Sequence, residues 1–213
     1  MKKAVLLLFF VVGLIGCSSD DSNNNNNNNN GNSQTVIADP AFEQALIDLG
    51  YDNIVDGRVN TSNIINVTDL VINDLGITSL SGIQAFESLV NLWANDNMLT
   101  SVNLNQNLNL KFIFVERNML TELETTNLLD LEKIGANDNQ LTSIDVANNQ
   151  MLQQLVVNNN ELEAINVSSN SQLTVLNVIG NPLDCILVNA SQLTNIPLGW
   201  QKDDEDTYAI TCN

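Results

Sequence analysis

LVNLWANDNMLTSVNLNQNLN (89–109), LKFIFVERNMLTELETTNLLD (110–130) and LEKIGANDNQLTSIDVANNQM (131–151) are consecutive 21-residue segments that align without a gap. Two more start at 152 and 173. Leu89, Leu110, Leu131, Leu152 and Leu173 open the units, and Leu92, Ile113, Ile134, Leu155 and Leu176 follow three residues later. Asn97, Asn118, Asn139, Asn160 and Asn181 stand at the ninth place, with Leu99, Leu120, Leu141, Leu162 and Leu183 two residues on. A spacing kept this strictly means one structural unit stacked on copies of itself.

The unit reads L-x-x-L-x-[AV]-x-x-N-x-L-x-x-[LIV]-x-[LVT]. Apolar residues two apart, such as Leu92 with Ala94 or Ile113 with Val115, point to one side of a short strand. Pairs such as Val102 with Leu104 and Ile144 with Val146 predict a second inward-facing segment in every coil. One coil cannot bury this apolar set, but coils stacked at roughly 4.8 Å can do so through parallel pairing. A helical reading fails, because polar Asn and Gly residues interrupt any long 3.6-residue stripe. The ladder asparagines fall where the chain turns inward, and buried turns leave backbone groups in need of partners that a short amide can supply. Asn107, Asn149 and Asn170 form a second column, broken by Leu128; Thr125 stands in an otherwise aliphatic position.

This pattern resembles the leucine-rich repeats of bacterial surface proteins, in a 21-residue variant. Residues 67–188 carry it. The first unit, with Val67, Leu70, Ile72, Ile77, Leu80, Ile83 and Phe86, has 22 residues and looks internalin-like, with Leu75 in place of the ladder Asn. The expected fold is a mainly β repeat solenoid of short parallel strands, with a small helical N-terminal cap at 36–66 and a C-terminal cap at 189–213. In the N-terminal cap, Asp39 suits an N-cap and Pro40 the first helical position, with Phe42, Leu46 and Leu49 on one face up to Gly50.

Residues 1–16 read as a signal peptide: Lys2 and Lys3, then the apolar stretch Ala4 to Val12. Leu14-Ile15-Gly16-Cys17 resembles the lipobox of bacterial lipoproteins, which implies cleavage before Cys17 and lipid on its sulfur. Ser18-Ser19-Asp20-Asp21 is similar to the short acidic signal that sends some Gram-negative lipoproteins to the outer face of the outer membrane. The segment 17–35, with eight consecutive asparagines at 23–30, has nothing to bury and reads as a disordered tether reaching roughly 20–25 Å. Lipidation of Cys17 leaves Cys185 and Cys212, either as a disulfide or as two free thiols; the resemblance to surface repeats with a Cys-plus-aromatic end favours the bridge. Trp200, Tyr208 and Ile210 are candidates to cover the open last coil.

No histidine is present, which removes the Ser-His-Asp and Cys-His nucleophile systems and most zinc sites. No Gly-rich phosphate loop occurs. The formal charge is −18, and would be −20 once Lys2 and Lys3 are cleaved away, which disfavours nucleic acid and anionic membrane surfaces as partners. The nearest pair of acids with catalytic spacing is Glu124 and Asp145, one coil apart, and reads as surface charge. Asp203, Asp204, Glu205 and Asp206 read as a solvated acidic loop. No cofactor and no metal is expected, and the sequence points to a non-enzymatic monomer.

In leucine-rich repeats the outward strand positions form the binding face. Here they place Trp93, Phe112 and Phe114 in adjacent coils as one exposed aromatic cluster in mutual contact. Asn91, Asn95, Glu116 and Val156 surround it. An aromatic cluster with a polar rim is the usual signature of a contact site. The reading is therefore a lipid-anchored, surface-exposed binding module for a protein or glycan, against a passive spacer lipoprotein and, third, a glycan-active enzyme.

Overall fold

The computed structural model describes residues 33–212. The signal peptide, Cys17 and the asparagine tract lie outside the described residues. The chain winds into a solenoid whose coils each contribute one three-residue strand to a parallel sheet. In chain order these are β3 (Asp69–Val71), β4 (Asn91–Trp93), β5 (Phe112–Phe114), β6 (Lys133–Gly135), β7 (Gln154–Val156) and β9 (Val175–Asn177), with β11 (Gly199–Gln201) from the C-terminal cap added at the end. Leu70, Leu92, Ile113, Ile134, Leu155, Leu176 and Trp200 stand in one register row, so the sequence period is the sheet register.

The second segment of each coil is buried as expected, but it pairs as strand only toward the C-terminus. β8 (Ile165–Asn166), β10 (Cys185–Leu187) and β12 (Thr207–Ala209) form a three-stranded parallel sheet. In the earlier coils the equivalent segments keep their inward side chains, such as Leu104, Leu123 and Val146, without ladder pairing. Their outward residues serve turns: Asn103, Glu124 and Asp145 each accept the backbone N–H two residues on, as Asn166 does at the end of β8. Glu124 and Asp145 are thus committed to local backbone geometry. The bonds from Thr126 hold the Glu124 carboxyl below its ordinary range, the opposite of what a general acid needs.

The asparagine ladder ties each coil to the one before it. Asn118 Nδ2 donates to Ala94 O in the preceding coil and to Val115 O in its own, at 2.9 and 3.0 Å. Its Oδ1 accepts from Leu99 N, 3.0 Å away in the preceding coil. Asn139, Asn160 and Asn181 repeat the set. The Asn-less first coil is served by Asn97, whose Oδ1 accepts from both Leu75 N and Ile77 N. In the second column, Asn107, Asn149 and Asn170 each donate to two carbonyls of the preceding coil. Gln192 continues that column from the C-terminal cap, donating to Val167 O and Asn170 O. Thr125 turns its hydroxyl to Asp145 O, which explains a polar residue in a buried aliphatic position.

The N-terminal cap contains α1 (Pro40–Asp48), capped by Asp39, and a short α2 (Thr61–Ile64). It also holds an antiparallel strand pair that the sequence did not suggest: β1 (Gln34–Val36) pairs with β2 (Arg58–Asn60) across α1 in the chain. Gln34 and Thr35, placed in the tether by the sequence reading, thus belong to a strand. Phe42 and Leu46 are buried, but Leu49 is exposed, because the helix ends at Asp48 and Leu49 is its C-cap; Ala45 takes the buried place. In the C-terminal cap, Trp200 is buried and its Nε1 donates to Leu173 O; Tyr208 packs against it at 5.6 Å. Ile210 stays exposed and covers nothing. A disulfide joins Cys185 to Cys212, pinning the tail to β10. The acidic run is not a solvated loop throughout: Asp206 is buried, and Asp203 accepts the Gly180 N–H at 2.6 Å.

Candidate functional site

The outward side chains of the seven-stranded sheet form three rows across the coils. In the middle row Val71, Trp93, Phe114, Gly135, Val156 and Asn177 are register partners. Trp93 and Phe114 stack with centroids 6.0 Å apart and planes 16° from parallel, an arrangement that cross-strand neighbours reach naturally. Both rings are partly buried rather than fully exposed, because each covers the other. The expected three-ring contact is a pair: Phe112 stands two residues earlier on β5, in the first row, and takes the Lys133 ammonium over its ring at 5.2 Å. Val71, at the head of the middle row, is 52% exposed.

Gly135 ends the aromatic row, and its missing side chain is what gives Phe114 and Glu116 their places. A Cβ there would run into Glu116 Oε1 and come within 2.8 Å of Phe114 Cδ1. Glu116 leans into this hollow. Burial pushes its carboxyl above the ordinary range, more than Arg117 draws it down, and the neighbouring acids Asp96 and Asp138 push the same way. Its Oε2 is buried without a hydrogen-bond partner. In the third row, Asn95 accepts the Glu116 N–H and Asn73 accepts the Asn95 N–H. In the first row, Asn91 Nδ2 donates to Asp69 Oδ1 at 2.6 Å. Val156 lies in the middle row beyond Gly135, one coil removed from the aromatic pair.

One feature of this face lay unread in the sequence. The residue before each ladder Asn adopts a left-handed backbone: Asp74 at the equivalent place in the first coil, then Asp96, Arg117, Asp138, Asn159 and Gly180. Asp, Asn and Gly tolerate that conformation, which was the available signal; Arg117 is the departure. Its guanidinium is held by Asp96 of the preceding coil, with Nη2 2.7 Å from Oδ2. Asn159 likewise donates to Asp138 Oδ1. Together these turns build a polar, mainly acidic crest along the edge of the strand face.

The architecture is that of a leucine-rich-repeat solenoid. A similar fold occurs in the functional domain of InlJ from Listeria monocytogenes, which is described as including a cysteine ladder. The TM-score is 0.67 at 24% identity, over 85% of this chain and 44% of that one. The LRIM1/APL1C complex offers a second similar structure, with a TM-score of 0.56 and 21% identity over 61% of this chain and 26% of that one. The chain thus spans less than half the length of either. No protein-family profile matches the sequence, and a search of curated proteins finds no match.

Proposed function

We propose that this protein is a binding module that engages a protein or glycan partner through the strand face of its first three coils. The observation that carries this reading is the Trp93–Phe114 stack, bordered by Glu116 and Asn95 and set on a rigid sheet. Large aromatic side chains at the centre of a polar rim provide most of the energy in contact surfaces of this kind. The lipobox-like Leu14-to-Cys17 motif and the asparagine tract support a second element of the proposal. Lipid on Cys17 anchors the chain in the outer membrane, and the tract holds the solenoid away from the bilayer at the cell surface. Several acyl chains at about 0.8 kcal/mol per buried CH₂ make such anchoring stable.

Affinity capture with the full chain tests the first element against a Trp93→Val/Phe114→Val double variant. Valine already occupies this row at 71 and 156, so the variant keeps the strand geometry. A partner held by the wild type and weakened at least tenfold in the variant is the expected result. Equal capture by both would put the partner elsewhere on the chain, and capture of nothing by either would leave a passive spacer as the better description. Cys17→Ser tests the second: the variant should leave the membrane fraction, and a variant that stays membrane-bound and uncut would end the lipoprotein reading.

A further inference from the structure

The first three coils carry apolar side chains on two surfaces. On the strand face these are Val71, Trp93 and Phe114. Past the left-handed turn, on the flank of the solenoid, stand Leu75, Met98 and Met119, exposed by 44%, 46% and 39%. Met98 reaches back over the first coil: a Cβ on Gly76 would lie 3.7 Å from Met98 Cε. Both series stop at the same coil, where Gly135 follows Phe114 in register and Gln140 follows Met119 in the repeat. Between them runs the acidic crest, with Asp74 and Asp96 exposed and Glu116 on its inner side; the one base in it, Arg117, is bound to Asp96. The whole chain has a formal charge of −18.

We infer that this rim, from the aromatic pair over the acidic crest to the methionine flank, is a docking site for a protein segment bearing apolar side chains flanked by Lys or Arg. The inference rests on the strand-face reading above and narrows its partner class. A glycan stacks on rings but has no use for a methionine flank across a charged crest. Unbranched, polarizable methionines suit the uneven apolar surface of a polypeptide. The crest selects for basic residues in that polypeptide, because unlike charges steer association and like charges are repelled.

A random peptide library panned against the full chain tests this directly. The enriched peptides are then measured on three double variants. Trp93→Val/Phe114→Val alters the strand face. Met98→Gln/Met119→Gln alters the flank with the residue that Gln140 already supplies at this repeat position. Leu108→Gln/Leu129→Gln alters two exposed leucines outside the rim, as a control. The expected peptides combine apolar residues with Lys or Arg, and lose tenfold or more in affinity with each of the first two variants and less than twofold with the control. Loss with the first variant alone would overturn the rim while keeping the strand-face site. Acidic peptides, no enrichment, or no loss with either variant would overturn the inference. Binding confined to a glycan array would also overturn it, while leaving the strand face as a glycan site.

Discussion

At the N-terminal end of the stack, two buried carboxylates organise the cap. Asp39 Oδ1 accepts the Ala41 and Phe42 N–H groups that open α1, while Oδ2 accepts from Thr78 N, Thr78 Oγ1 and Ser79 N in the first coil. Glu43 Oε1 takes three consecutive N–H groups, from Asp56, Gly57 and Arg58. At the C-terminal end the last coil is covered by Trp200, by Gln192 and by a covalent bond between Cys185 and Cys212. Its buried carboxylate, Asp206, accepts from Asp203 N through Oδ2 but leaves Oδ1 unpartnered. The same task, closing an open stack of apolar coils, uses a buried ring at both ends, Phe42 stacked on Phe86 at 6.3 Å and Trp200 over the last coil, but adds charge-assisted hydrogen bonds at the first and a cross-link at the second. The two ends should therefore fail under different conditions.

Asp39→Ala should have the largest effect. It removes a helix cap and three bonds to the first coil, and with hydrogen bonds to charged groups at about 1.5–3 kcal/mol each, a loss of about 5 kcal/mol or more is expected in denaturant unfolding. Cys185→Ser/Cys212→Ser should follow, at about 3.5 kcal/mol by the loop-entropy relation. In contrast to Asp39→Ala, a reducing agent should reproduce it in the wild type; melting with and without reductant checks this. Trp200→Ala should cost about 3 kcal/mol, as a nearly buried aromatic lost at the end of the sheet, and hydrogen exchange should then rise first near Leu173 and Leu176.

The smallest effect is the most diagnostic. At Asp39 burial opposes ionisation more than any one contact favours it, but the bonds from Thr78, Phe42 and Ala41 together prevail and its carboxyl titrates below 3.8. The stability it contributes is full above 3.8 and is lost as pH falls through the folded value. At Asp206 burial prevails over the Asp203 N–H, and the carboxyl titrates above 3.8. Its contribution is full below 3.8 and is lost as pH rises through the folded value. Asp206→Asn should accordingly raise the melting temperature at neutral pH, by less than any of the three losses above. That gain should vanish below pH 3.8. An unchanged or lower melting temperature at neutral pH would mean that the ionised Asp206 is well accommodated, and the contrast between the caps would fall.

The repeat itself was legible because every coil restates it: the leucine positions are the buried positions, and the asparagine column is the hydrogen-bonded column. The caps were legible in part. Asp39-Pro40 marks a helix start through local chemistry, and Trp200 marks burial through size. The β1–β2 pair left no mark, because Gln34-Thr35-Val36 is three residues long and its partner is held in place by Glu43, a contact across the cap. Asp206 looked solvated because its neighbours are acidic; only the return of the chain onto β10 buries it. On the strand face, the aromatic positions followed from the period, but the pairing did not. Which rings stack depends on the hollow at Gly135 and on Lys133 reaching Phe112, and both are relations between neighbouring coils.

Each ladder asparagine completes the coil before its own, not the one after. A coil is therefore finished only by its successor, and the final one by the C-terminal cap. Every 21-residue unit delivers the ladder bonds to its predecessor, although the unit at 110–130, with Leu128, omits those of the second column. An interior unit could thus be duplicated without any change to either cap. The number of interior units, and with it the length of the strand face, is therefore not fixed by either cap.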